Sequence, residues 1–139
     1  MNLQEFIKWH DEQAREYPRF FRHNAAMRKV TYHIGDTGEE VEAAFHGMWM
    51  SADRKDHCVG LIVLFADRFW LVPDGYETGP CRFRETPYSA FRTVRKLNPD
   101  ADDNPNSFNL DFGEGKFYLS VGHHETAPDE AFEAFDRHI

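Results

Sequence analysis

The stretch Val59-Gly60-Leu61-Ile62-Val63-Leu64-Phe65-Ala66-Asp67-Arg68-Phe69-Trp70-Leu71-Val72-Pro73-Asp74-Gly75 decides the class of fold. Its opening half is an apolar run of strand length rich in branched side chains, as expected of a strand central in a sheet. Asp67-Arg68 reads as a tight turn into a second apolar run. Pro73-Asp74-Gly75 then stops that run, because proline fixes its own φ and glycine accepts the turn.

Outward from this hairpin the period stays near two. Residues 40–50 alternate through Val41, Ala43 and Phe45, and the charged stretch Ser51-Ala52-Asp53-Arg54-Lys55-Asp56 suits a solvent-exposed tip. Residues 79–85 and 88–97 read as two further strands, Phe91 and Val94 being the most apolar positions of the second. After the Asn- and Pro-rich loop 98–106, a hairpin turns at Gly113-Glu114-Gly115. Phe108, Leu110 and Phe112 match Phe117, Leu119 and Val121 across it.

Both ends of the chain are helical in pattern. Leu3, Phe6, Ile7, His10, Ala14 and Tyr17 form one stripe, opened by a capping box of Asn2 and Glu5. Pro18 suits the first turn of a second helix carrying Phe20, Phe21, Asn24 and Met27, and Gly35 and Gly38 end the helical pattern. At the other end Thr126 and Asp129 make a second capping box, Pro128 lies in the first turn, and Phe132, Phe135 and Ile139 share a face.

The chain has 139 residues, the size of one ordinary domain, and 13 Phe against 18 Leu, Ile and Val, so rings must fill much of the core. Its net charge of −8 lies wholly in residues 98–139, where Lys116 and Arg137 face ten acids. A field of that sign repels phosphate backbones, which counts against nucleic acid as a partner of this third. No apolar run approaches the roughly 20 residues that span a bilayer. The first residues lack the basic start and apolar stretch of a signal peptide, so a cytoplasmic setting is expected, with Cys58 and Cys81 both reduced.

Strands in sequence followed by one amphipathic helix give the order of a pleckstrin-homology-like barrel, and three stretches resemble the bacterial PH and GRAM-like members. Gly38-Glu39-Glu40-Val41-Glu42-Ala43-Ala44-Phe45 is similar to their first strand, residues 60–72 to their second and third, and Pro87-Tyr88-Ser89-Ala90-Phe91-Arg92-Thr93-Val94 to a later one. The resemblance implies an α+β, mainly β fold: a seven-stranded antiparallel, partly open barrel over residues 38–139, plugged by the C-terminal helix. Residues 1–37 form a helical extension outside it. Related domains bind phosphoinositides near the first two strands, or peptides along a sheet edge. Here Arg54 and Lys55 stand at the first hairpin tip, but Asp53, Asp56, Glu40 and Glu42 surround them, and two cations among four carboxylates hold a phosphate poorly.

The remaining basic run, Arg82, Arg84, Arg92, Arg95 and Lys96 interleaved with Phe83, Tyr88 and Phe91, is the candidate binding face. Read as regular strands, Arg82 and Arg84 share one face, Phe91 and Thr93 another, and Arg92 and Lys96 the opposite one. The competing reading is that these charges merely solvate the outside of a half-buried sheet. Eight histidines raise a metal-dependent or hydrolytic enzyme using His46, His57 or His123, with His46 and His57 opposed across the first hairpin. No His-x-His or His-x3-His spacing supports it. Cys58 sits in a buried-strand context; Cys81 stands beside Arg82, a cation that favours its thiolate, yet neither has a base at a motif spacing. The expectation is therefore a non-enzymatic protein-binding module without a cofactor, the helical extension covering the barrel or mediating self-association. An acidic nucleic-acid mimic of the kind some phages encode is the remaining alternative.

Overall fold

A computed structural model describes the backbone of residues 1–18, 25–51, 57–75, 81–96, 107–112, 115–121 and 127–139, and the side chains of 1–18, 25–50, 57–75, 81–94 and 130–139. The elements run α1 (Leu3–Glu16), α2 (Ala25–Thr37), β1 (Ala43–Ser51), β2 (His57–Leu64), β3 (Arg68–Pro73) and β4 (Arg84–Pro87). A 3-10 turn (Tyr88–Ala90), β5 (Phe91–Lys96), β6 (Ser107–Phe112), β7 (Gly115–Val121) and α3 (Ala127–Asp136) follow. The strands form one antiparallel sheet in the order β4-β3-β2-β1-β7-β6-β5.

The sheet is apolar on both faces around β2 and β3, and that is why their sequence runs apolar without alternating. On the inner face Trp49, Cys58, Ile62, Leu64, Phe69, Leu71 and Tyr88 pack with Ala131, Ala134 and Phe135 of α3. On the outer face Leu61, Val63, Phe65, Trp70 and Val72 pack with Phe6 of α1 and Ala26, Val30 and Ile34 of α2. Rings do fill the inner core, with Phe69 edge-on to Phe135 at 5.0 Å and tilted against Phe91 at 5.5 Å. The helices of residues 1–37 and the sheet thus share one buried cluster.

Local signals hold where the chemistry is local. Asn2 and Glu5 form both arms of the capping box, at 2.9 and 3.1 Å. Leu110 lies opposite Phe117 and Phe108 opposite Leu119, as the hydrophobic pattern requires. Other boundaries shift. Phe65 N–H donates to Arg68 O at 2.8 Å, so the turn is Ala66-Asp67 and Arg68 opens β3. The first strand begins at Ala43 rather than at 40, Val41 being buried with the outer cluster. Gly35 lies inside α2, and only Gly38, with φ of +72°, stops it. Phe20, Phe21, Asn24, the turn at 113–114 and the Thr126 cap lie outside the described residues.

One expectation is overturned outright. Cys58 and Cys81 are not reduced but joined in a disulfide, with Cα atoms 5.3 Å apart. The thiol readings drawn for each separately therefore fall.

Candidate functional site: the open seam of the sheet

The basic run does not make a strand pair. The fourth strand is Arg84–Pro87, with Arg82 and Phe83 outside it and residues 79–80 outside the described residues. Tyr88 begins the 3-10 turn, so the chain bends between β4 and β5 and the two strands lie at opposite margins of the sheet. Among the described residues β4 is hydrogen-bonded to β3 and β5 to β6, with no ladder between β4 and β5. The result is a seam with two lips. Arg82 and Arg84, both exposed, belong to one lip and exposed Arg92 to the other.

The faces follow from register. Arg84 lies opposite Leu71, an inner-face residue, whereas Glu85 lies opposite Trp70 on the outer face. On β5 the register slips between Phe91 and Thr93, so Arg92 is the extra residue of a bulge. The slip explains why Phe91 and Val94, three apart, both pack against the inner core while Thr93 is exposed. Phe91 and Thr93 therefore do not share a face as regular alternation requires.

Tyr88 is not on a binding face. It is 5% exposed, and its hydroxyl donates to Phe65 O at 2.7 Å. Burial pushes that hydroxyl above its ordinary pKa, with Glu42 and Asp67 adding to the effect. The His138 ring stacks on it at 4.1 Å and meets Glu42 Oε2 at 2.5 Å, fastening the end of α3 to the residue before β1. Arg95 and Lys96 continue β5, opposite Asn109 and Phe108, but their side chains lie outside the described residues, as do Arg54 and Lys55 entirely.

One lip is braced by a group that sequence reading missed. Arg68 donates through Nε to Glu85 Oε2 at 2.9 Å, and Trp70 Nε1 donates to the same oxygen at 2.7 Å. Arg68 also grips Glu39 through both terminal nitrogens and reaches Asp67 at 2.9 Å. These bonds hold Glu39 at a pKa of about 2 and lower that of Glu85. The guanidinium lies 4.6 Å over the Phe65 ring, and Phe83 sits edge-on to Trp70 at 5.0 Å beneath Lys29. No spacing motif announces such a cluster, since its members come from four separated segments.

His46 and His57 do not converge as the enzyme reading needs. His46 lies opposite Leu61, and His57 opposite Met50, so the two do not face each other. His46 is 5% exposed and its Nε2 meets Asp74 Oδ2 at 2.6 Å, with buried His10 of α1 close enough to interact with both. His123 lies outside the described residues. Among the described residues no group of His, Cys, Asp and Glu is arranged to hold a metal ion, and no helix is long and apolar enough to cross a membrane. A cleft of about 280 Å³ between α1, β1 and α3 is lined by Trp9, Phe45, Glu130, Ala134 and Arg137, with no imidazole among the described residues of its wall.

No family model and no curated protein matches the chain. Among solved structures it is similar to the C-terminal domain of an unknown protein from Leishmania infantum. That match has 12% identity and a TM-score of 0.61 over 81% of this chain and 95% of that one. It is also similar to the C-terminal PH domain of human FYVE, RhoGEF and PH domain containing protein 3, with 12% identity and a TM-score of 0.54 over 68% and 84% of the two chains. The PH domain of ArhGAP27 matches with 15% identity and a TM-score of 0.50 over 72% and 97%. At these identities the likeness is one of fold: an antiparallel sheet with a C-terminal helix, of the pleckstrin-homology type.

Proposed function

We propose that this chain is a non-enzymatic protein-binding module: a PH-like, seven-stranded, partly open barrel over residues 38–139 with residues 1–37 as its helical cover. Its partner is an extended, acidic protein segment laid along the seam between β4 and β5. The observation that carries the reading is the seam itself, in which two strands without a mutual ladder stand beside exposed Arg84 and Arg92. An added strand gains main-chain hydrogen bonds from such an edge, and the arginines select acidic side chains. A phosphoinositide headgroup is the weaker ligand, for the charge reason given by Asp53, Asp56, Glu40 and Glu42 around Arg54 and Lys55.

The test is charge reversal. Tagged wild-type chain and the double variant Arg84→Glu/Arg92→Glu are expressed side by side, and co-purified proteins are quantified by mass spectrometry. The reading expects one protein reduced at least about tenfold in the variant, with an unchanged melting temperature in both chains. Equal recovery of every partner, a second copy of this chain included, contradicts it, and so does tight co-sedimentation of the wild type with phosphoinositide vesicles.

A further inference from the structure

We infer that the Cys58–Cys81 disulfide is a redox-addressed fastening for the Arg82–Arg84 lip, opened by a small thiol attacking Cys81 and closed again by a disulfide oxidant. The bridge joins β2 to the residue immediately before Arg82, across 23 positions, and these are the only two cysteines of the chain. Its two sulfurs are unequally placed. Cys58 is 4% exposed, opposite Trp49 in the inner core, whereas Cys81 is only partly buried.

That difference sets the direction of exchange. A glutathione thiolate bonds to Cys81 Sγ as the Cys58–Cys81 bond breaks, and the electron pair leaves on Cys58 Sγ, which takes up a proton. A second glutathione thiolate attacks the glutathione sulfur of the mixed disulfide and expels Cys81 as thiolate beside the cation of Arg82. Two glutathione molecules are oxidised to one glutathione disulfide, and one protein disulfide is reduced to two thiols. Closing runs the same two exchanges in reverse, with glutathione disulfide as the two-electron oxidant.

The consequence is local because the lip is held from both sides. On its far side Glu85 is anchored by Trp70 and Arg68, and between the two fastenings Phe83 packs on Trp70. Four residues of edge strand, Arg84–Pro87, are all the ladder that β4 has. Opening the bridge releases the Cys81 side, so the Leu71–Arg84 pairing is lost while the Trp70–Glu85 pairing holds. The meaning for partner binding rests on the seam reading above; the structural event does not.

The test is two-dimensional NMR of the isotopically labelled full chain, first in glutathione disulfide and then in reduced glutathione. Expected on reduction is loss of the cross-strand contact between Leu71 and Arg84, with the Trp70–Glu85 and Trp49–Cys58 contacts retained, and its return on reoxidation. Cys81→Ser gives the reduced pattern in either buffer. The inference is overturned if glutathione disulfide leaves two alkylatable thiols, if the Leu71–Arg84 contact survives in both buffers, or if reduction abolishes contacts across the whole sheet. A partner that ignores Arg84→Glu/Arg92→Glu while the NMR switch operates removes the seam reading and leaves this one standing.

Discussion

Arg68 and Glu39, 29 residues apart, are joined by two parallel hydrogen bonds, Nη1 to Oε2 at 2.7 Å and Nη2 to Oε1 at 2.8 Å. The pair ties the segment that follows α2 to the first residue of β3. His33 of α2 joins it, with Nε2 at 2.6 Å from Glu39 Oε1 and its ring 4.5 Å from that of Trp70. Removing Arg68 leaves Glu39 and Glu85 without their shared cation in a site only partly open to water. Arg68→Ala is expected to cost about 2 kcal/mol, measured by urea denaturation, with Arg68→Lys recovering less than half because the fork is lost.

The same pair sets an acid limit. Glu39 has its carboxyl lowered from 4.5 to about 2 by Arg68, so the unfolded chain binds protons there before the folded one does. Its stabilisation is complete above the unfolded value and is lost as pH falls from 4.5 toward 2. Thermal melts over that window fall steeply for the wild type, and Glu39→Gln has a lower but flatter profile.

A second window lies nearer neutrality. Burial pushes His10 below its ordinary value of 6.5, with His46 adding to it and Asp11 and Asp74 opposing. The unfolded imidazole then takes a proton more readily than the folded one, so stability declines as pH drops below 6.5. His10→Gln removes that contribution, and the melting temperature of the variant falls less than that of the wild type as the pH drops below 6.5.

Two glycines separate tight packing from open space. A Cβ on Gly60 would lie 2.0 Å from Val72 O, a backbone atom of the paired strand, which cannot withdraw without parting β2 from β3. Gly60→Ala is expected to cost about 3 kcal/mol or more, or to leave no folded protein. Gly35, inside α2, would meet Leu3 Cδ2 at 3.8 Å, an ordinary contact, and Gly35→Ala raises stability by about 0.5–1 kcal/mol through helix propensity.

Legibility in the sequence followed the range of the interaction. The central hairpin, the β6–β7 register, the α1 cap and the apolar face of α3 depend on neighbours within a few residues or on period alone, and those patterns are visible. Gly35 misled because one helical glycine costs little against the burial of Val30 and Ile34. Arg82, Arg84 and Arg92 were recognisable as cations, but placing them on two lips needed the turn at Tyr88 and the bulge at Arg92. The cysteine pairing, the Arg68 clamp and the His46–Asp74 contact each join distant segments, and spacing carries no record of such meetings.

The most direct measurement of the binding proposal is site-specific photo-crosslinking in cells, with a photoreactive phenylalanine at position 92 and, as control, at position 32. Tyr32 is 76% exposed on α2 and belongs to neither β4 nor β5, so its crosslinker samples the same surroundings without standing on either lip. The seam reading predicts a discrete adduct from position 92, through an acidic segment of one protein, which position 32 does not give and Arg84→Glu suppresses. Equal adducts from both positions, or an adduct from position 32 alone, would contradict it.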